Sequence, residues 1–182
     1  MTIKPFYFNP YRECTYVVWD EKKQNHKALL IDAGMYGEAE EKRMADFLDK
    51  ENLSPVALLI THTHPDHVCG VDFMRRTYNI KPVIYPPEGI LHIPDFEGIE
   101  VLRTPGHKED CVCYYWPVQK CVFTGDTLFK DSIGRTDLEG GDMHLLIQSL
   151  DKLRQLPDDT IVYPGHGYQT TIGQEKQFNP YL

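Results

Sequence analysis

A chain of 182 residues is long enough to bury one substantial core and short for two, so a single domain over residues 1–182 is expected. Hydrophobic residues at 41% and charged residues at 25% are ordinary globular values, and no apolar run approaches the roughly 20 residues that cross a bilayer, so no membrane partner is expected. The formal charge of −8, with scattered lysines and arginines, supplies no cationic stripe for a phosphate backbone and argues against nucleic acid as a partner.

The opening MTIKPFYFNPYREC has a single lysine and no continuous apolar core, which does not fit a secretory signal. Five cysteines, Cys14, Cys69, Cys111, Cys113 and Cys121, are odd in number and unevenly spaced. They do not read as a disulfide framework, and reduced thiols in a cytoplasmic protein are expected. CTYVVW (14–19) and KALLID (27–32) are β-rich runs around the polar turn DEKKQN and predict a hairpin. Between positions 37 and 52, Ala39, Met44, Phe47 and Leu48 recur among charges as an amphipathic helix does. VALLIT (56–61) reads as a buried strand, VDFMRRTY (71–78) as a helix, and PVIYP (82–86) and IEVLRT (99–104) as strands. CVCYYW (111–116) and KCVFTG (120–125) flank PVQ as a second hairpin. DMHLLIQSLDKLRQL (142–156) is an amphipathic helix and TIVYPG (160–165) a last strand. Two halves of similar content emerge, and the class is α/β.

The chemistry concentrates at strand ends. His62, His64, Asp66 and His67 crowd into THTHPDH directly after the apolar run VALLI. His107 follows VLRTPG, Asp126 follows KCVFTG, and His166 lies in YPGHG after TIVYP. Loops at one end of the strands converge in layered α/β architectures, so such residues can build one site. Neutral imidazole and carboxylate suit zinc, iron or manganese, and two ions about 3.5–4 Å apart need about seven donors, one of them bridging. Five histidines and two aspartates supply that number. His26, His92 and His144 lie outside the cluster and read as surface or hydrogen-bonded residues.

The motifs THTHPDH, TPGH, FTGD and PGHG, in this order and spacing, resemble the metallo-β-lactamase superfamily, whose first motif is His-x-His-x-Asp-His. IGRTDLEGGD (133–142) and PGHGYQTTIGQEKQFNPYL (164–182) resemble the small hydrolases similar to glyoxalase II, the hydroxyacylglutathione hydrolases. The resemblance implies a four-layer αβ/βα sandwich. It implies one ion on His62, His64 and His107, a second on Asp66, His67 and His166, and Asp126 as the bridge, with zinc expected and iron or manganese compatible. Asp32 and Gly34, in LLIDAG, match a turn beside the site, where the aspartate orients a ligand.

The implied activity is hydrolysis of a small acyl thioester by a hydroxide held between the two ions, with Asp66 as both ligand and orienting group. Arg135 and Asp137, in GRTD, are candidates for recognising an anionic substrate tail or for an ion pair that holds their own loop. After His107 the chain reads HKEDCVCYYW and departs from many relatives, placing Lys108, Glu109 and Asp110 near the site. Cys111 and Cys113 share a strand face and, like Cys69, read as structural thiols. The chain ends at NPYL, without the C-terminal helical domain that clamps glutathione in full-length glyoxalase II proteins. The alternative activity within the superfamily is persulfide dioxygenation on a single iron held by His62, His107 and Asp126.

Overall fold

The computed structural model describes all residues from Met1 to Leu182, which group into two compact units, Met1–Ile84 and Tyr85–Leu182. No helix is long and apolar enough to cross a membrane.

The first unit contains β1 (Thr2–Phe8), β2 (Glu13–Trp19), β3 (Lys27–Ile31), α1 (Glu38–Lys50), β4 (Ser54–Ile60), α2 (Pro65–Val68), α3 (Val71–Tyr78) and β5 (Pro82–Ile84). Its five strands form one sheet in the order β1-β2-β3-β4-β5. β1, β2 and β3 pair antiparallel, while β3, β4 and β5 run parallel. Parallel neighbours need a crossover, and α1 and α3 supply the two crossovers. The hairpin of β2 and β3 and both helices lie where the periodicity places them.

β1 is a strand the sequence reading passed over. Pro5 interrupts its pattern, and only Phe6 and Phe8 turn inward. An edge position explains the tolerated proline, because an edge strand leaves one row of backbone groups outside the ladder. α1 opens with Glu38, Glu40 and Glu41 in the turn where the helix dipole favours negative charge. Its Met44 and Leu48 are fully buried beside Leu30, Leu58 and Ile60 in the core, and truncating either to alanine costs about 2–5 kcal/mol on general grounds.

The second unit contains β6 (Gly89–Leu91), β7 (Ile99–Arg103), β8 (Val112–Trp116), β9 (Cys121–Gly125), β10 (Leu128–Phe129), β11 (Ser132–Ile133), α4 (Met143–Arg154), β12 (Ile161–Pro164), β13 (Thr170–Thr171) and α5 (Ile172–Phe178). Six of its strands form a sheet in the order β13-β12-β9-β8-β7-β6, with β10 and β11 as a separate small hairpin. β8 and β9 are the second hairpin expected from the sequence, and β12 lies parallel to β9. Asp142 caps α4 by accepting from Leu145 N at 3.0 Å, which satisfies a donor the helix cannot. Leu146, Leu150 and Leu153 face the core, where they meet Val122, Val162 and Cys113.

Strand direction sets where the polar groups go. β3 and β4 run parallel, so Asp32 and Thr61–His62 emerge at the same edge of the first sheet. β7 and β9 each run antiparallel to β8, and β12 runs parallel to β9. The loops after all three therefore leave the same edge of the second sheet, carrying His107, Asp126 and His166.

Candidate metal centre

In the first unit the donors sit on the loop after β4 and on α2, whose first residue is Pro65. Proline suits a helix's first turn, where its missing N–H would have no partner. This short helix follows the extended His62–His64 stretch and brings the His67 ring to 4.2 Å, centroid to centroid, from the ring of His62.

Hydrogen bonds fix the tautomers. Thr61 Oγ1 has one proton and donates it to Asp32 Oδ2 at 2.7 Å. His62 Nδ1, 3.1 Å from the same hydroxyl, must therefore be the donor, which leaves Nε2 with a lone pair. His67 Nδ1 donates to Asp32 Oδ2 at 2.9 Å and likewise keeps Nε2 as a ligand atom. Asp32 also accepts from Thr61 N at 2.7 Å, so one buried carboxylate orients two consecutive turns of the motif.

His62 Nε2 and His64 Nδ1 converge to 3.1 Å, and Asp66 Oδ2 lies 3.9 Å from His67 Nε2. Ligand bonds of 2.0–2.2 Å in a tetrahedral site hold donor atoms about 3.3–3.6 Å apart, and both separations lie within a few tenths of that.

Behind His67 lies a group that the sequence reading missed. Glu13 is fully buried, its Oε2 accepts from Thr15 Oγ1 at 2.8 Å, and its Oε1 has no hydrogen-bond partner and lies 3.9 Å from His67 Nδ1. Burial, first of all, pushes its carboxyl well above the usual carboxylate range, against the opposing pull of His67. Together with Asp32 and His67 it forms a buried cluster of possible ligand atoms. Gly34 makes room for it, since a Cβ there would overlap Glu13 Oε2 and come within 2.7 Å of the Asp66 carbonyl. A glutamate among the apolar residues of a strand was the only sequence signal.

In the second unit one carboxylate oxygen meets two imidazoles. Asp126 Oδ2 lies 3.5 Å from His107 Nε2 and 3.6 Å from His166 Nε2. Both distances exceed a hydrogen bond and match donors that share a cation. His107 Nδ1 donates to the Arg135 carbonyl at 2.7 Å, which leaves a lone pair on Nε2 that could ligate a metal. Gly134 allows this approach, because a Cβ there would overlap the Asp126 carbonyl and lie 3.1 Å from His107 Cβ.

The Arg135 side chain is turned to its own loop, donating to Asp137 through Nε at 2.7 Å and Nη2 at 2.6 Å. That pairing holds the Asp137 carboxyl down to about 2. Lys108 pairs with Asp110 at 3.2 Å. Cys111 and Cys113 are buried, and burial raises both thiols, Cys113 to about 11. Cys69 is exposed, donates to the Gly34 carbonyl at 3.2 Å and is also raised to about 11, chiefly by desolvation.

The family model described as Metallo-beta-lactamase superfamily matches residues 13–100 and 91–166. Hydroxyacylglutathione hydrolase GloC of Haemophilus influenzae is 34% identical over 199 residues, covering 91% of each chain. Among solved structures, the B3 metallo-beta-lactamase BLEG-1 has a TM-score of 0.92 at 33% identity, covering 100% of this chain and 99% of its own. ETHE1 from Myxococcus xanthus has a TM-score of 0.86 at 29% identity, covering 99% and 84%. TTHA1623 in a di-iron-bound form has a TM-score of 0.83 at 32% identity, covering 98% and 100%. The fold expected from the motifs is thus the fold these relatives have.

Proposed function

Because the chain belongs to the metallo-β-lactamase superfamily, we propose that it is a hydrolase of small acyl thioesters with two divalent metal ions, zinc by preference, and that residues 1–182 act as one catalytic domain. The ligands are those the family motifs assign: His62, His64 and His107 for one ion, Asp66, His67 and His166 for the other, and Asp126 for both. The observation that supports this reading most is the approach of Asp126 Oδ2 to His107 Nε2 and His166 Nε2 at 3.5 and 3.6 Å, compatible with a carboxylate that would serve two ions. Similarity to GloC along 91% of the chain supports the thioester as substrate.

Divalent ions in such a site would supply hydroxide at neutral pH and polarise the substrate carbonyl. The chain's own residues do the rest. Asp32 keeps His67 in one tautomer and pins Thr61, and through Thr61 it orients His62. The Arg135 carbonyl does the same for His107. We assign Asp66, a ligand of the second ion in this reading, the further role of orienting the attacking water or shuttling its proton.

A second reading is favoured by the similarity to ETHE1 from Myxococcus xanthus: persulfide dioxygenation on one iron at His62, His107 and Asp126. Metal stoichiometry separates the two. Zinc-replete protein is expected to bind two ions per chain, Asp126→Ala to lose both, and His166→Ala to lose one. One ion in the wild type, unaffected by His166→Ala, would contradict the dinuclear hydrolase.

A further inference from the structure

The first unit has a cleft of about 320 Å³ beside Asp66, formed by the turn 9–11, by Tyr36, and by Pro65, Asp66 and Cys69. These come from three separate segments, and a pair of side chains ties them together. Glu40 on α1 accepts from Asn9 N at 3.0 and 2.9 Å and from Tyr36 N at 2.8 Å. The Asn9 amide then donates to the Gly34 carbonyl at 3.0 Å and to the Asp66 carbonyl at 2.9 Å. Both tyrosine-bearing turns and the segment that carries Asp66 are therefore held to one carboxylate before any ligand arrives. A site built this way loses little freedom on binding.

Tyr11 and Tyr36 are 74% and 68% exposed and belong to neither hydrophobic core. Large aromatic rings held open to solvent in a concave site offer contact area to a ligand. Pro10 and Pro65 add two more apolar rings, and no lysine or arginine lines the cleft. A carboxylate or phosphate tail would find no cationic side chain here and would face Asp66, whereas an uncharged apolar group would meet four rings.

Resting on the thioester-hydrolase reading, we propose that this cleft is the acyl subsite, that it takes a neutral aromatic or bulky apolar acyl group, and that Glu40 is the positioning residue for its two tyrosines. Of the two substituents on a thioester carbonyl near Asp66, the acyl side fits. The common biological thiol carriers, glutathione and coenzyme A, bear charges that the lining leaves unpaired.

The test uses N-acetylcysteamine thioesters of acetate, phenylacetate and succinate with the metal-loaded protein, together with calorimetric binding of ketone analogues in which CH2 replaces the sulfur. Wild type is expected to favour phenylacetyl over acetyl by about 10-fold in kcat/KM and in analogue affinity, with succinyl no better than acetyl. Tyr11→Ala/Tyr36→Ala should bring that preference to within about 2-fold, chiefly by raising KM for the phenylacetyl ester, while Tyr11→Phe/Tyr36→Phe retains it. Glu40→Ala should lower the preference about 3-fold or more, and Glu40→Gln, which can still accept from Asn9 N and Tyr36 N, should restore most of it. Preference unchanged in the double alanine variant, or succinyl as the best substrate, would overturn the proposal. Tyrosine-dependent analogue binding without turnover of any thioester would support the cleft and remove the hydrolase.

Discussion

Replacing Asp32 with asparagine isolates what that carboxylate contributes. Asp32 lies in the left-handed region at φ 60, which asparagine tolerates, so the backbone is not strained by the change. Its carboxylate accepts three hydrogen bonds, from Thr61 N, Thr61 Oγ1 and His67 Nδ1 at 2.7, 2.7 and 2.9 Å. An asparagine oxygen can keep the Thr61 N contact, but its NH2 then faces a hydroxyl and an imidazole N–H that were both donors. One of them must turn. If His67 changes tautomer, Nε2 carries the proton and no longer ligates.

Loss of a buried hydrogen bond to a charged group costs about 1.5–3 kcal/mol, and mis-set supports of metal ligands cost about 10- to 100-fold in metal affinity. We expect Asp32→Asn to lower the stability of the metal-free protein by about 2 kcal/mol in urea and to weaken zinc binding about 10-fold or more. Denaturation of the chelator-treated protein and a competitive chelator titration measure the two. Wild-type zinc affinity, whatever happens to stability, would refute the role given to Asp32 in setting the His67 tautomer.

Asp66→Asn should lower kcat about 100-fold or more while KM changes little, in protein whose retained metal is measured alongside; full turnover with full metal would remove Asp66 from proton transfer. Arg135→Ala should raise KM for a thioester with an anionic tail and leave kcat unchanged if its guanidinium meets substrate; an unchanged KM would leave only the pair with Asp137, whose partners are 63% and 67% exposed. Buried Cys113, raised to about 11, keeps its proton longer in the folded than in the unfolded chain. Its contribution is therefore fully present below the unfolded thiol value of about 8.5 and lost as pH rises towards 11. The urea midpoint should fall over that window, and Cys113→Ala should flatten the fall, whereas a flat wild-type profile would count against it.

What was legible in the sequence is what acts locally. VDFMRRTY declares α3 through its own periodicity, and the structure begins and ends that helix at those residues. The crowded imidazoles of THTHPDH mark a place where donor atoms that could hold a metal gather, and LLIDAG points to Asp32, which the structure places against His67. β1 went unseen because Pro5 breaks its alternation and because its inward face shows only as Phe6 and Phe8 beside their neighbours.

Groups whose role arises from distant segments were hidden. Asn9 acts on the Asp66 carbonyl across a separation of 57 residues, and Glu40 acts on Asn9 across 31. Glu13 earns its place from Gly34 and His67, not from its neighbours in β2. Arg135 drew notice for its guanidinium, yet the group that touches His107 is its carbonyl, which residue identity does not reveal.

Thioester turnover without oxygen tests the central claim most directly. A hydrolase needs water and its metals but no oxidant, so zinc- or manganese-loaded protein should cleave S-lactoylglutathione or an N-acetylcysteamine ester at the same rate in anaerobic and aerated buffer. Inert thioesters, with activity appearing only on a persulfide, only with iron and with consumption of oxygen, would contradict the hydrolase and identify a dioxygenase.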